Sequence, residues 1–298
     1  MSNETPNNII SAAISVPSLS FLKIQASLIS GAPIEFEEKS TINERLDILK
    51  DKRPLPNSTP KLNLMVIGIG GHRVSIDNDN LMWHMPVAHE PTDTAPFNIQ
   101  PVAVRAIDND LTERERERFA LRKQATVNGQ RCWLYYGWWL PTQQARAEKK
   151  LITKIDGEEK IEDFVYSDSD LYPTPPEVST NTLDTVTRLN SSDGKSVMTY
   201  VPKEISFDQF LTNELINASI MTRNDPLKAI VSEIVLCTSV PETVTVPAAD
   251  GSSFNFKEAT GVQVGISISC FHNMAMSNAG VNYIVNIGQT KPMKIRSR

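Results

Sequence analysis

His72, His84, His89 and Asp93 are the residues whose types best suit a metal ion, because imidazole nitrogens and carboxylate oxygens are the usual ligands of zinc and related cations. The spacing argues against it. His89-Glu90 opens like a zinc-protease helix, but the second histidine is missing and Pro91 breaks any helix there. No cysteine lies near to complete a structural zinc site, so these histidines are expected to be surface groups or hydrogen-bonded ones. Asp77, Asn78, Asp79 and Asn80 open like a calcium loop, yet Leu81 stands where the third ligand belongs and Met82 where the loop glycine belongs. A polar turn is the expectation. Gly68-Ile69-Gly70-Gly71 ends the apolar run Leu62–Ile69 and resembles a phosphate-binding turn. Arg73 occupies the third glycine position, and the next ten residues read as strand or turn rather than helix, so the expectation is a strand ending in a flexible turn. No nucleophile–base pairing, paired-carboxylate motif, P-loop or CxxC is recoverable. Neither an enzyme nor a cofactor or metal site is expected.

The densest chemistry is aromatic. Arg131–Pro141, RCWLYYGWWLP, gathers Trp133, Tyr135, Tyr136, Trp138 and Trp139 in a chain that is 7% aromatic. Asn128-Gly129 before it predicts a hairpin, since both residues tolerate the positive φ of a type I′ turn. As a strand, one face carries Cys132, Leu134, Tyr136, Trp138 and Leu140, the other Trp133, Tyr135, Gly137 and Trp139. Both faces are apolar and need cover: the domain's own core, a neighbouring subunit, or stacked bases. Arg122 and Lys123 lie on the hairpin, and Lys149 and Lys150 come after it. Cations interleaved with aromatic rings suit single-stranded nucleic acid, whose bases stack while its phosphates pair with cations. Glu148, Glu158, Glu159 and Glu162 dilute that charge, which leaves a packed aromatic core as a competing reading.

The remaining composition is that of an ordinary globular protein: 298 residues, 40% hydrophobic and 22% charged. A net charge of -5 with pI about 5.5 argues against a surface devoted to nucleic acid, although a basic patch remains compatible. Cys132, Cys237 and Cys270 are far apart and read as reduced core residues of a protein made in a cytoplasm. The first residues lack a basic signal-peptide region, and no apolar run approaches a membrane span, so a membrane role is not expected.

The positioning elements emerge from local pattern. Ile9–Ile29 is apolar, serine-rich and broken by Pro17, which predicts extended segments. Thr41 with Glu44, and Thr112 with Glu115, are capping boxes that open short helices. Pro54, Pro56 and Pro60 make a stiff linker, so residues 1–61 read as an extended arm, disordered or lying across a partner. Pro86–Val104 is long, proline-rich and irregular, and is expected to contact something. Asp156-Gly157 predicts a second hairpin. Ser206 with Gln209 predicts a capped helix bearing Phe207, Phe210, Leu211, Leu215 and Ala218. Ile230–Val240 is β-branched and strand-like, though its spacing also fits a helix, and Tyr283–Ile287 reads as a strand. In Gly261–Phe271, Val262, Val264, Ile266, Ile268 and Cys270 point one way, and Gln263, Ser267 and Ser269 the other. The tail adds Lys294, Arg296 and Arg298, a basic exit. The expected fold is α+β, mainly antiparallel β in sandwich-like layers with a few short helices, as one domain over 62–298 preceded by the arm.

Several stretches resemble an uncharacterised family of tailed-bacteriophage virion structural proteins. They are IGIGGHR at Ile67–Arg73, HEPTDTAPFNIQPVAVR at His89–Arg105, DNDLT at Asp108–Thr112, FALRKQATVNGQRCWLYYGWWL at Phe119–Leu140, DPLKAIVSEIVLCTSV at Asp225–Val240 and FNFKEATGVQV at Phe254–Val264. Where similar sequences run YYLKRID, this chain has Tyr135-Tyr136-Gly137-Trp138-Trp139-Leu140, which removes charge and adds aromatic surface. The resemblance implies a non-enzymatic component of the virion, in capsid, neck or tail, made in the host bacterial cytoplasm. Such a subunit would form homo-oligomers and contact other virion proteins. Trp133, Tyr135, Trp138 and Trp139 are then candidate interface residues. The alternative is a phage single-stranded-DNA-binding or transcription-accessory protein. In that reading the same rings stack on bases, with Arg122, Lys123, Lys149, Lys150, Lys294, Arg296 and Arg298 as basic contacts.

Overall fold

The computed structural model describes residues 13–55, 57–76, 82–141, 146–155, 157–167, 172, 194–247, 253–276 and 281–293. The calcium-like run Asp77–Asn80 and the basic tail residues Lys294, Arg296 and Arg298 lie outside the described residues. The fold is α+β and mainly antiparallel β, with short helices. The chain forms two compact units, residues 1–142 with 207–281, and residues 143–206 with 282–298. This boundary differs from the one expected at residue 61.

The first unit is built on a seven-stranded sheet. Its strands are β1 (Ile14–Pro17), β2 (Lys61–Gly68), β5 (Ala103–Ala106), β6 (Phe119–Val127), β7 (Gln130–Trp139), β11 (Ile230–Pro247) and β12 (Ser253–Asn273). The spatial order is β1-β12-β11-β2-β7-β5, with β6 also paired to β7. A separate hairpin, β3 (His72–Ile76) and β4 (Met82–Pro86), meets β12 where His84 stacks on Phe271 at 3.6 Å. The hairpin before β7 forms as its turn chemistry requires: Asn128 and Gly129 take φ 49° and 80°, and Val127 faces Gln130.

Residues 13–55 lie across their own chain. β1 pairs with β12, and Ser18 caps α1 (Leu19–Ser30) by accepting from Phe21 N at 3.1 Å while donating to Val264 O. The extended reading of this stretch holds over Ile14–Pro17. A β-strand followed by a serine cap is sufficient to start the helix, and its buried Phe21 and Ile24 then hold it on the sheet. Thr41 caps α2 (Ile42–Leu46) by accepting from Glu44 N. Ile42, Leu46 and Ile48 then pack with Leu64, Val66, Leu121, Val235, Val262 and Val264 in a buried cluster. The segment therefore supplies part of the core instead of standing apart from it as an arm. Asn43 ties it down: Val262 N donates to its Oδ1 at 2.9 Å, and its Nδ2 donates to Ala259 O at 2.8 Å. These bonds bracket Gly261 at φ 57°, where a Cβ would meet Phe36 at 2.8 Å.

The serine face of β12 also differs from its expectation. Gln263, Ser267 and Ser269 are buried, with β1 paired along the edge of β12 and the segment after β4 meeting the serine face, where Ser269 donates to Val87 O at 2.5 Å. Covered on both faces, the strand is polar where its hydroxyls find carbonyls rather than where it meets water. Helix α3 (Glu113–Arg116) has the expected Thr112–Glu115 capping box. The helix α4 (Gln209–Arg223) is capped by Asp208, which accepts from Leu211 N at 3.0 Å, so the cap lies two residues beyond the expected Ser206. Its Leu211, Leu215 and Ala218 are buried as the periodicity predicts.

The second unit holds β8 (Glu148–Ile155), β9 (Glu158–Asp163), β10 (Gly194–Phe207, to Ser206) and β13 (Val281–Met293, from Asn282). They form a four-stranded sheet in the order β13-β10-β8-β9. β8 and β9 are the second hairpin, Ile155 facing Glu158 across Gly157 at φ 86°. Among the described residues of this unit only Tyr200 and Ile205 are buried.

Candidate functional site

A buried ionisable group of the first unit is centred on Glu233 of β11, whose side chain is 0% exposed. Its Oε1 accepts from Phe97 N at 2.7 Å and meets His89 Nε2 at 2.9 Å. His89 Nδ1 meets Asp93 Oδ2 at 2.9 Å, and the imidazole stacks on Phe97 with ring centres 4.1 Å apart. Burial works against a charge on His89, but the hydrogen bonds to Glu233 and Asp93 outweigh it and raise its pKa above the usual value. The two carboxylates thus favour the protonated imidazole. Glu233 Oε2 has no hydrogen-bond partner among the described residues and sits against Gly68, where a Cβ would come within 2.6 Å of it. Ser232 Oγ accepts from Gly70 N at 2.9 Å and Gly71 N at 3.1 Å.

This geometry explains the GIGG run without a nucleotide. Its glycines let backbone close over a buried carboxylate, and Ile69 N and Gln100 N reach across to Asn98 O and Ile67 O. The proline-rich segment 86–104, expected to contact something, contacts this end of the sheet. His89 and Asp93 come together as one group, whereas His72 and His84 lie beside Phe271. The hydrogen bonds from Glu233 to His89 and to Phe97 N, and from His89 to Asp93, tie the proline-rich segment to β11.

The aromatic strand is mostly interior. Tyr135 is 0% exposed and Trp138 4%, which removes both from any base-stacking or subunit-contact role in the folded chain. Tyr135 packs on Phe119 at 5.2 Å and donates its hydroxyl to Asp110 Oδ1 at 2.5 Å, while Trp138 meets Phe207 edge-on at 5.1 Å. Burial, reinforced by Asp110, pushes the Tyr135 phenol above its ordinary pKa. Trp133 and Trp139 are half-buried, and each already carries a cation: Arg122 lies 3.3 Å over the Trp133 ring and Lys257 4.9 Å from the Trp139 ring. Gly137 at φ 58° brings the strand close to Met65 O, 2.9 Å from where a Cβ would stand.

The expected basic contacts also have internal duties. Arg122 is buried, pairs with Asp110 at 3.3 Å, and has its pKa lowered by that burial. Lys123 donates to Leu46 O at 2.8 Å. In the second unit Lys149 lies over Tyr166 at 4.3 Å and Lys150 pairs with Asp163 at 2.6 Å. A cation paired inside its own domain is not held out toward a phosphate backbone.

Sequence reasoning missed Glu233, Asn43 and Asp110, the polar residues around which the first unit closes. Glu233 carried one usable signal: a carboxylate inside the β-branched run Ile230–Val240 is costly unless a partner is supplied. Cys132, Cys237 and Cys270 are buried free thiols. No described helix is long and apolar enough to cross a membrane.

Neither a curated protein nor a solved structure matches this chain. The model of a family of unknown function, DUF7208, matches residues 4–298, and the chain belongs to that family.

Proposed function

We propose that this protein is a non-enzymatic structural subunit that assembles with further copies of itself. The observation that carries the reading is the second unit. A sheet stabilises itself by burying at least one face, and stable domains place a second layer against it. Here Ile155, Ile161, Val165, Tyr166 and Ile284 are exposed, and Tyr200 and Ile205 alone among the described residues of the unit are buried. The first unit adds Val74, Ile76, Trp83 and Met85, exposed on both faces of the β3–β4 hairpin. The sequence resemblance supports a tailed-bacteriophage particle as the assembly, with other virion proteins as further partners. Burial of Tyr135, Trp138 and Arg122 takes the central residues away from the single-stranded-DNA reading.

Light scattering on the purified full-length chain tests self-association, and mass spectrometry of purified particles tests the location. A defined oligomer at micromolar concentration and recovery of the chain in particles are expected. A monomer at that concentration would end the assembly reading, and absence from particles would end the virion assignment.

A further inference from the structure

The four-stranded sheet of the second unit ends in strands of opposite character. β9, EEKIED, carries Glu158, Glu159, Glu162 and Asp163 against Lys160, and every residue in it is exposed. Cross-strand register with β8 places Glu158 and Glu162 on one face and Glu159 and Asp163 on the other, so the edge is acidic whichever face is considered. β13 is the other edge. Its stretch Val281–Thr290 carries no charged residue and no proline, and Ile284 in it is 72% exposed. Lys291 comes next, and β13 holds no acidic residue.

Edge strands present unpaired N–H and C=O groups, and proteins guard them with charge, proline or a bulge. β9 is guarded and Val281–Thr290 is not. Two β9 edges cannot approach each other without setting carboxylate against carboxylate, whereas β9 beside β13 sets those carboxylates against a strand that carries Lys291 and no acidic residue. We infer that β9 of one copy lies beside β13 of the next, continuing the sheet of the second unit from subunit to subunit. This interface rests on the assembly reading proposed for the chain and specifies its geometry. The contact is head-to-tail, so repetition closes into a ring or runs on as a filament.

Native mass spectrometry of the full-length chain tests it with two edge variants. Glu159→Lys with Glu162→Lys blocks β9, and Ile284→Lys with Asn286→Lys blocks β13; all four side chains are exposed. Each variant alone is expected to lose every species above the monomer. An equal mixture is expected to form a two-copy complex and nothing larger, because each variant keeps the edge the other lacks. A wild-type oligomer with either variant assembling unchanged, or a mixture of folded variants that stays monomeric, overturns the interface and leaves the assembly reading standing. A monomeric wild type overturns both.

A second measurement needs no substitution. Lys160 on β9 and Lys291 on β13 are amines on the two edges. Amine cross-linking of a mixture of light and 15N-labelled wild-type chains is expected to give a Lys160–Lys291 link between a light and a heavy copy. An oligomer lacking that mixed-isotope link overturns the proposal.

Discussion

Glu258 of β12 stands directly across from Glu242 of β11, and Glu242 already holds Lys52 at 2.8 Å. Glu258 is buried, and that burial, with the neighbouring Glu242 carboxylate, lifts its pKa to about 7 despite Arg122 and Lys52 nearby. The folded state therefore binds a proton that the unfolded chain releases near its ordinary carboxyl value. This contribution is fully present below about 4.5 and is lost as pH rises through about 7, the reverse of a salt-bridged carboxylate. Thermal unfolding from pH 5 to pH 8 is expected to show stability declining with pH. Glu258→Gln, which keeps the neutral shape, should flatten that slope and raise stability at pH 8 by on the order of 1–3 kcal/mol. A slope unchanged in the variant would remove Glu258 as its source.

His89 contributes with the same sign. Its raised pKa means that its stabilising share is present below about 6.5 and lost as pH rises through the higher folded value. His89→Ala leaves the buried Glu233 carboxyl without its imidazole partner, which should cost about 3–5 kcal/mol in denaturant titrations. Adding Glu233→Gln should recover a large part of the loss, because the carboxyl that lost its partner is then gone. Purely additive effects in that double-mutant cycle would show that the two residues do not act as a pair.

Gly129 and Gly137 share the left-handed conformation but not its surroundings. Gly129 sits in an open turn, with nothing within 4 Å of where a Cβ would stand. At Gly137 that carbon would lie 2.9 Å from Met65 O and 3.1 Å from Leu64. Gly129→Ala should cost about 1 kcal/mol, from backbone strain alone. Gly137→Ala should cost roughly 3 kcal/mol or more, because strain and a collision with β2 add. Equal losses in the two variants would mean that β2 and β7 part easily at that point.

Trp83 is 55% exposed on β4, while Trp138 is sealed in the core and Trp133 and Trp139 lie under cations. Acrylamide should quench the wild-type emission chiefly through Trp83, and Trp83→Phe should remove most of the quenchable fraction. An oligonucleotide at low salt is expected to leave the remaining emission unchanged. Salt-sensitive quenching in the Trp83→Phe variant would revive base stacking on β7.

Turns and caps are legible in the sequence because their chemistry is local. Asn128-Gly129, Thr41 with Glu44 and Thr112 with Glu115 behave as their residue types demand. Pairing at a distance is not legible in the same way. Nothing in Ser269 announces that the segment after β4 will meet it, so an alternating pattern reads as a solvated face. Gly68-Ile69-Gly70-Gly71 is recognisable as an unusual backbone, but its reason, Glu233, lies more than 160 positions along the chain by the Gly71–Ser232 contact. The aromatic run reads as two-faced, which its burial fits. Its pattern leaves open whose side chains cover it, and α4 and the segment around α2 supply much of that cover.

The bond between Ser18 and Val264 spans 246 positions. A ribosome releases this chain from the amino end, so the opening strand emerges long before the residues that receive it exist. Until Ile266–Ser269 are synthesised, Ile14–Pro17 has no place in the sheet, and the cluster around Ile42 waits equally for Val262. Closure of the first unit is therefore a late event of synthesis, with its aromatic hairpin held in the meantime by local pairing alone.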